Sequence, residues 1–173
     1  MLILDACVGS EKIYQKRNKL LKDCFIGIDI RKGDFSIPKD NHYLSASEII
    51  VKPTILANMK TLPFKDNIFD VIICDPPHLS SVTERYNRYY TSWSKIETIS
   101  TIYKANIEFN RILKKNGTLI LKILPESINR YESLLNNFIF YLPIQTVRPK
   151  GCIKSKEAKL AAIWLIGIKK DNV

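Results

Sequence analysis

The stretch Phe69-Asp70-Val71-Ile72-Ile73-Cys74-Asp75-Pro76-Pro77-His78 decides how the rest of the chain is interpreted. Its apolar run, rich in β-branched residues, is typical of a strand that is buried on both faces of a sheet. The two prolines that follow have no backbone N–H to donate, so the strand is predicted to end at Asp75. In open parallel α/β sheets, ligands bind beyond the carboxyl ends of the strands. We therefore expect Asp75 and His78 to lie at the mouth of a site.

Strand and helix patterns alternate on both sides of this stretch. Strand patterns cover residues 2–7, 24–30, 54–58, 69–75, 118–123, 138–147 and 160–168, and helical patterns cover residues 11–22, 95–114 and 125–137. The helix over 95–114 is predicted from apolar residues at helical spacing, which are Ile96, Ile99, Tyr103, Ile107 and Leu113. Asn116-Gly117 is predicted to end that helix. Residues 33–52 are polar and mixed, and they predict a loop with one short helix.

The alternation predicts an α/β fold with a Rossmann-like, mostly parallel seven-stranded sheet flanked by helices. The loop over residues 148–159 is too short for a crossover helix, so the last strand is expected to be antiparallel. A chain of 173 residues is long enough to bury one core. We expect a single domain over residues 1–173, with no separate target-recognition domain.

Cysteine spacing and hydropathy argue against a metal-binding, membrane-spanning or secreted protein. Cys7, Cys24, Cys74 and Cys152 have no close paired spacing, which indicates reduced structural thiols and predicts no metal site. No apolar run approaches the roughly 20 residues that span a bilayer. The first residues lack the basic and apolar regions of a signal peptide. Together these features favour a cytoplasmic protein.

The charge of the chain favours a polyanionic partner. The sequence has 27 Lys and Arg against 17 Asp and Glu, which gives a formal net charge of +10 and a pI near 9.4. An excess of this size is typical of proteins that bind nucleic acid. A lysine-rich solvated surface with no such partner is the alternative, and charge alone leaves both open.

Further motifs accompany the central stretch in a fixed order. These are Leu4-Asp5-Ala6-Cys7-Val8-Gly9-Ser10, the acid Asp29, the pair Asn58-Met59, Asp75-Pro76-Pro77-His78, and Arg111-Ile112-Leu113-Lys114-Lys115-Asn116-Gly117-Thr118-Leu119. In this order they resemble the motifs of the class I S-adenosylmethionine-dependent methyltransferases, and the resemblance covers nearly the whole chain. In detail the chain is similar to small phage and prokaryotic methyltransferases with an Asp-Pro-Pro-His centre.

The resemblance implies which residues bind S-adenosylmethionine. The first motif would wrap the methionine part of the cofactor, Asp29 would hold the ribose hydroxyls with Ile30 beside it, and Asn58-Met59 would meet the adenine. The implied cofactor-binding residues are Asp5, Ala6, Cys7, Gly9, Ser10, Asp29, Ile30, Asn58, Met59 and Asp75. The chain departs from the family in two places: the first motif keeps only Gly9 of the usual glycines, and Asn58 stands where an acid is usual.

For the Asp-Pro-Pro-His motif, the resemblance implies methylation of an exocyclic amino group of a base. Such a nitrogen is a poor nucleophile because its lone pair is delocalised into the ring. The Asp75 carboxylate and the Pro76 carbonyl would accept its two hydrogens and aim the nitrogen at the methyl group. His78, which follows Pro77, would stack on the extruded base.

A second chemistry remains open. The chain also resembles ribose 2′-O methyltransferases, in which an Asp, two Lys and a Glu deprotonate and orient a hydroxyl group. Asp75, Lys122 and Glu157 match three of these four positions. The other lysine precedes the first motif in that family, and this sequence has no matching position. Lys122 thus joins the candidate catalytic residues Asp75, Pro76, Pro77 and His78.

The candidate nucleic-acid-binding residues are basic and lie in two segments. They are Arg85 and Arg88 after the central strand, and Arg148, Lys150, Lys154 and Lys156 before the last strand. Without a target-recognition domain, RNA or single-stranded nucleic acid is favoured over duplex DNA. A third interpretation is a non-catalytic partner subunit that binds the cofactor and nucleic acid. A partner subunit that supplies target recognition to an active enzyme is equally compatible with the sequence.

Overall fold

The structure is a computed structural model, and it describes residues 1–8, 24–36, 48–76, 95–123, 128–141, 144–147 and 160–170. The strands in these ranges are β1 Ile3–Asp5, β2 Phe25–Asp29, β3 Gly33–Ser36, β4 Glu48–Val51, β5 Ile55–Leu56, β6 Phe69–Cys74, β7 Leu113–Ile123, β8 Phe138–Phe140, β9 Ile144–Val147 and β10 Leu160–Lys169. The helices in the same ranges are α1 Lys95–Ile112 and α2 Ile128–Leu134. None of these described helices is long and apolar enough to cross a membrane. The helix predicted over 11–22 lies outside the described residues.

One mixed sheet organises the molecule, with the strand order β5-β2-β1-β6-β7-β10-β8. The strands from β5 to β7 run parallel to one another, and β10 is antiparallel to β7. β8 and β9 both pair antiparallel with β10, at residues 167–169 and 160–164 respectively. They therefore occupy the same strand position beside β10. The predicted seven-stranded sheet with an antiparallel last strand is confirmed.

The core lies where the central strands meet α1. Leu4 of β1 and Ile72 of β6 are fully buried. The buried face of α1 carries Thr101, Ile102, Ala105, Asn106, Phe109 and Ile112. The apolar residues that predicted this helix lie mainly on its other face, where Ile96, Ile99, Tyr103 and Ile107 are exposed. The predicted helix is therefore present, but it packs through a different set of side chains.

The boundary between α1 and β7 corrects the sequence prediction. The helix ends at Ile112, two residues earlier than expected, and β7 starts at Leu113 instead of Thr118. The register of β7 against β6 shifts between the pairs Phe69↔Leu113 and Val71↔Thr118. Asn116 adopts a left-handed φ of 58° inside this irregular segment. The Asn-Gly signal thus marks a bulge within a strand.

Residues 33–52 provide a second correction. β3 and β4 pair antiparallel from Gly33↔Val51 to Ser36↔Glu48 and form a separate two-stranded sheet. The predicted loop with a short helix is therefore wrong for residues 33–36 and 48–51. The pairing joins segments that are 11 residues apart, and a local sequence pattern does not report hydrogen bonds between such segments.

Candidate active site

Three acids lie at one edge of the main sheet. β1, β2 and β6 are parallel neighbours, so their carboxyl ends meet at the same edge. Asp5 and Asp29 are the last residues of β1 and β2, and Asp75 directly follows β6. The predicted end of the central strand at the Pro-Pro step is therefore confirmed within one residue.

The turn after β1 is held by its own acid. Asp5 is buried, and its Oδ1 accepts a hydrogen bond of 3.0 Å from the backbone N–H of Cys7. The backbone N–H of Ala6 donates to the carbonyl of Ile73 at 2.8 Å, and that of Val8 donates to the carbonyl of Ile28 at 3.0 Å. These bonds fix the turn between the two neighbouring strands. Asp5 thus shapes the start of the first motif.

Gly27 is a site residue that the sequence analysis missed. It pairs with Asp5 across β1 and β2. A Cβ atom placed on Gly27 would lie 2.8 Å from Cγ2 of Val8, closer than two such carbons can approach. The glycine therefore lets the first turn pack directly on β2. A glycine inside an otherwise apolar strand was the available sequence signal.

Asp29 is buried and holds the side chain of Arg31. Its Oδ1 accepts hydrogen bonds from the backbone N–H and the Nε of Arg31, at 2.9 and 3.0 Å. Its Oδ2 accepts from the second guanidinium nitrogen at 3.2 Å. The carboxylate thus accepts two side-by-side N–H groups, as it would accept the two hydroxyls of a ribose. Ile30 is 50% exposed and offers an apolar surface beside this acid.

The Asn58-Met59 pair lies after β5, next to Asp29. The backbone N–H of Ala57 donates to the carbonyl of Asp29 at 3.1 Å, which ties this segment to the end of β2. Asn58 Oδ1 accepts from the backbone N–H of Lys60 at 3.0 Å. The Met59 side chain is buried in the core. An adenine at this position would therefore meet the backbone of Met59 and the half-buried Asn58.

Asp75 and Lys122 are in contact at the end of β6, which we call the chemical end of the site because the candidate catalytic residues lie there. Lys122 Nζ lies 2.6 Å from Asp75 Oδ2, in an ion pair whose side chains are about one-third exposed or less. Pro76 is buried beside them. Lys122 Nζ also lies 5.7 Å from the ring centroid of Trp164, within the range of a cation–π contact. Sequence analysis missed Trp164, because only the pairing register shows that it faces Lys122.

Two cysteines connect the first turn to the central strand. The interaction of the Cys7 thiol with Cys74, together with burial, raises the pKa of Cys7 well above its ordinary value. A thiol with a raised pKa is mostly protonated and unreactive near neutral pH. Both cysteines are free, as the sequence analysis predicted, and they pack as small apolar groups.

Several predicted site residues lie outside the described residues. They are Gly9 and Ser10 of the first motif, Pro77 and His78 of the central motif, the basic residues Arg85, Arg88, Arg148, Lys150, Lys154 and Lys156, and Glu157. Their roles stay predictions. The structure brings together Asp5, Asp29 and Asp75 at one edge and adds Lys122 to them.

Comparisons of sequence give one partial relative. No protein-family model matches the chain. An uncharacterised protein of Methanocaldococcus jannaschii is 30% identical over an alignment of 143 residues, which covers 78% of this chain and 54% of that protein. The chain thus spans about half the length of this relative.

Comparisons of structure give several matches over nearly the whole chain. The N-methyltransferase NodS from Bradyrhizobium japonicum superposes with a TM-score of 0.55 at 10% identity, over 98% of this chain and 85% of that one. An S-adenosylmethionine-dependent methyltransferase from Methanosarcina mazei gives 0.54 at 16% identity, over 97% and 91%. A structure of the Haloferax volcanii Trm112 methyltransferase activator with a putative methyltransferase gives 0.54 at 10% identity, over 98% and 83%. The chain therefore has the fold of the S-adenosylmethionine-dependent methyltransferases.

Proposed function

We propose that the chain is an S-adenosylmethionine-dependent methyltransferase that modifies an exocyclic amino group of a base in nucleic acid. The observation that carries the proposal is the position of Asp75, directly beyond the central strand and at the same edge as the Asp5 turn and Asp29. Asp75 would contact the acceptor, while Asp5 and Asp29 would contribute to binding the cofactor. We further propose that residues 1–173 act as one domain in the cytoplasm.

The residues at this edge fit S-adenosylmethionine. Asp29 accepts two parallel N–H groups from Arg31, and a ribose diol would replace them on the same two carboxylate oxygens. Ile30 and the Asn58-Met59 backbone flank the place where the adenine would lie, and the Asp5 turn would hold the methionine part. When bound, the cofactor supplies an electrophilic methyl group. The residues around Asp75 would orient and activate the acceptor.

Asp75 and Pro76 would prepare the acceptor. The Asp75 carboxylate and the Pro76 carbonyl each accept a hydrogen bond from the amino group, which draws the nitrogen lone pair out of conjugation with the ring. The nitrogen loses one of these two protons once it carries the methyl group. Lys122 binds Oδ2 of Asp75, so Oδ1 remains to face the acceptor. The carboxylate also stabilises the positive charge that develops on the nitrogen. Catalysis in this proposal rests on position and electrostatics.

The proposed substrate class rests on charge. The net charge of +10 favours a polyanion. We propose RNA or single-stranded nucleic acid, because unpaired bases leave their amino groups accessible. Arg85, Arg88, Arg148, Lys150, Lys154 and Lys156 are the proposed phosphate contacts.

The Asp75–Lys122 contact favours a second candidate, methylation of a ribose 2′-hydroxyl. An ammonium group is a donor only, so it suits an acceptor that develops negative charge. At 2.6 Å from the carboxylate, Lys122 would stabilise an alkoxide while Asp75 takes the proton. An amino acceptor needs no such cation. The two candidates therefore differ in how strongly they depend on Lys122.

A methyl-transfer assay separates the candidates. Purified protein is incubated with S-adenosylmethionine carrying a labelled methyl group and total RNA or heat-denatured DNA, and methylated nucleosides are identified by mass spectrometry. We expect base-methylated nucleosides, and Asp75→Asn to lower the rate on the order of 100-fold. Glu132→Gln, which changes an exposed carboxylate on α2, is the matched control. An unchanged rate in Asp75→Asn would remove this acid from the chemistry.

Lys122→Met decides between base and ribose methylation. For an amino acceptor we expect a modest loss of rate with the same methylated base as product. For a ribose acceptor we expect 2′-O-methylated nucleosides from the wild type and near abolition by Lys122→Met. Lys104→Met, on the exposed side of α1, is the matched control.

Cofactor binding without transfer would favour a different class of function. The chain would then act as a cofactor-binding subunit that presents its basic surface to nucleic acid. The similar Haloferax volcanii structure pairs a putative methyltransferase with an activator, which supports proposing a partner subunit for this chain too. Repeating the assay with proteins co-purified from the native source tests that proposal.

A further inference from the structure

Three side chains lie at the same level on neighbouring strands at the chemical end of the site. Cys74 pairs with Leu121 in the parallel register of β6 and β7, so Asp75 lies level with Lys122. Lys122 pairs directly with Trp164 in the antiparallel register of β7 and β10. Directly opposed residues on adjacent strands project from the same face of a sheet. Asp75, Lys122 and Trp164 therefore form a row across three strands.

Alternation along the strands shows which face this is. Leu121 and Ile123 flank Lys122 and are buried, and Ile163 and Leu165 flank Trp164 and are buried. Lys122 and Trp164 are both half-buried, so they share the less buried face of the sheet. The row of Asp75, Lys122 and Trp164 therefore lies on the less buried face of the sheet.

Lys122 has two partners in this row. Its ammonium lies 2.6 Å from Asp75 Oδ2 and 5.7 Å from the centroid of the Trp164 ring. A lysine has a flexible four-carbon stem, and at a partly exposed position its ammonium can leave a carboxylate for water. The indole ring attracts the cation, which favours the position of the ammonium beside Asp75.

We propose that Trp164 is a positioning residue for methyl transfer: it holds Lys122 against Asp75, so that Oδ2 is occupied and Oδ1 is presented to the acceptor. This inference rests on the proposed function and deepens it. Trp164 touches neither the acceptor nor the cofactor in this role, and it acts through Lys122 alone. Its effect on the rate therefore depends on the presence of Lys122.

A double-mutant cycle tests that dependence. We expect Trp164→Leu to lower kcat about two- to fivefold, the range of one partly exposed cation–π contact, with KM for S-adenosylmethionine unchanged. Trp164→Phe keeps an aromatic face and should recover most of the rate. In the Lys122→Met background, Trp164→Leu should change kcat no further. An equal loss in both backgrounds, or equal losses in Trp164→Leu and Trp164→Phe, would overturn the proposal.

Tryptophan emission tests the same row without any activity. The chain has two tryptophans, so Trp93→Phe leaves Trp164 as the sole reporter. We expect Lys122→Met to change the emission of Trp164. We also expect Asp75→Asn to change it when Lys122 is present but not when Lys122 is Met.

The two readouts separate the two proposals. Coupled emission changes without methyl transfer would retain the row and overturn the proposed enzyme, and with it the role of Trp164 in catalysis. If neither Lys122→Met nor Asp75→Asn changes the emission of Trp164, the contacts within the row are excluded, even if methyl transfer is observed.

Discussion

At the scale of single residues, the first turn depends on a residue with no side chain. Gly27 in β2 leaves space for the Val8 side chain. The backbone N–H of Val8 donates a hydrogen bond to the carbonyl of Ile28, the next residue of β2. The first turn and β2 thus form one unit, with Asp29 at its end. The shape of this part of the site is set by packing as much as by the acids.

We predict that Gly27→Ala displaces the first turn. The added methyl would meet Cγ2 of Val8 at 2.8 Å, and overpacking of this kind costs about 1–3 kcal/mol of unfolding free energy. Affinity for S-adenosylhomocysteine should fall as well, as measured by calorimetry. Val8→Ala removes the clashing methyls, so Gly27→Ala should cost much less in that background. An equal cost in both backgrounds would contradict this account of Gly27.

At the scale of elements, α1 is tied to the segment before β6 by a clamp centred on Arg111. Its guanidinium donates to the carbonyls of Leu62 and Phe64, at 3.0 and 2.7 Å, and pairs with Asp66 and Glu108 at 2.8 Å each. Glu108 Oε2 in turn accepts from the backbone N–H of Leu62 at 2.6 Å. The clamp fixes where the central strand begins, at the end opposite the site.

The clamp predicts a pH-dependent stability. The hydrogen bond from Arg111 lowers the pKa of Glu108, so its contribution is complete above the ordinary carboxyl pKa and is lost as the pH falls through the lowered value. We expect Glu108→Gln to reduce the unfolding free energy by about 1–3 kcal/mol at pH 7. Urea denaturation should show a smaller difference from the wild type at pH 3 than at pH 7. The same difference at both values would exclude this role for the Glu108 charge.

Elements differ in how far the sequence predicts them. β6 and its end were predictable because Pro76 and Pro77 stop any ladder, and α1 was predictable from its periodicity. The buried face of α1 was not predictable, because Ile96, Ile99 and Tyr103 have the spacing of a core face and remain exposed. Only tertiary packing decides which face of such a helix is covered.

Within the candidate site, the strand-end acids were predictable, Lys122 was placed with Asp75 through the family resemblance, and Trp164 was missed. An acid that ends an apolar run can be recognised in the sequence, as Asp29 and Asp75 can. The contacts of Lys122 with Asp75 and Trp164 require the register of three strands, and local patterns do not contain register. The β3–β4 pairing escaped prediction for the same reason.

At the scale of the whole molecule, the net charge of +10 predicts salt-sensitive binding to nucleic acid. For a single-stranded RNA, log Kobs should fall linearly with log salt, by about 0.7 per phosphate contact. Replacing Lys150, Lys154 and Lys156 with Gln should reduce that slope by about 2, as measured by fluorescence anisotropy. Replacing the exposed Lys52, Lys65 and Lys104 removes the same charge and should change the slope less. Equal changes would indicate that only total charge matters.

The proposed function requires that the chain binds S-adenosylmethionine, and the proposed site requires that it does so through Asp29. Titration calorimetry of the wild type, Asp29→Ala and the Glu132→Gln control with S-adenosylmethionine tests this most directly. We predict binding of one cofactor per chain by the wild type and by Glu132→Gln, and loss of binding by Asp29→Ala. No binding by the wild type at millimolar cofactor, or unchanged affinity in Asp29→Ala, would contradict the assignment of the site.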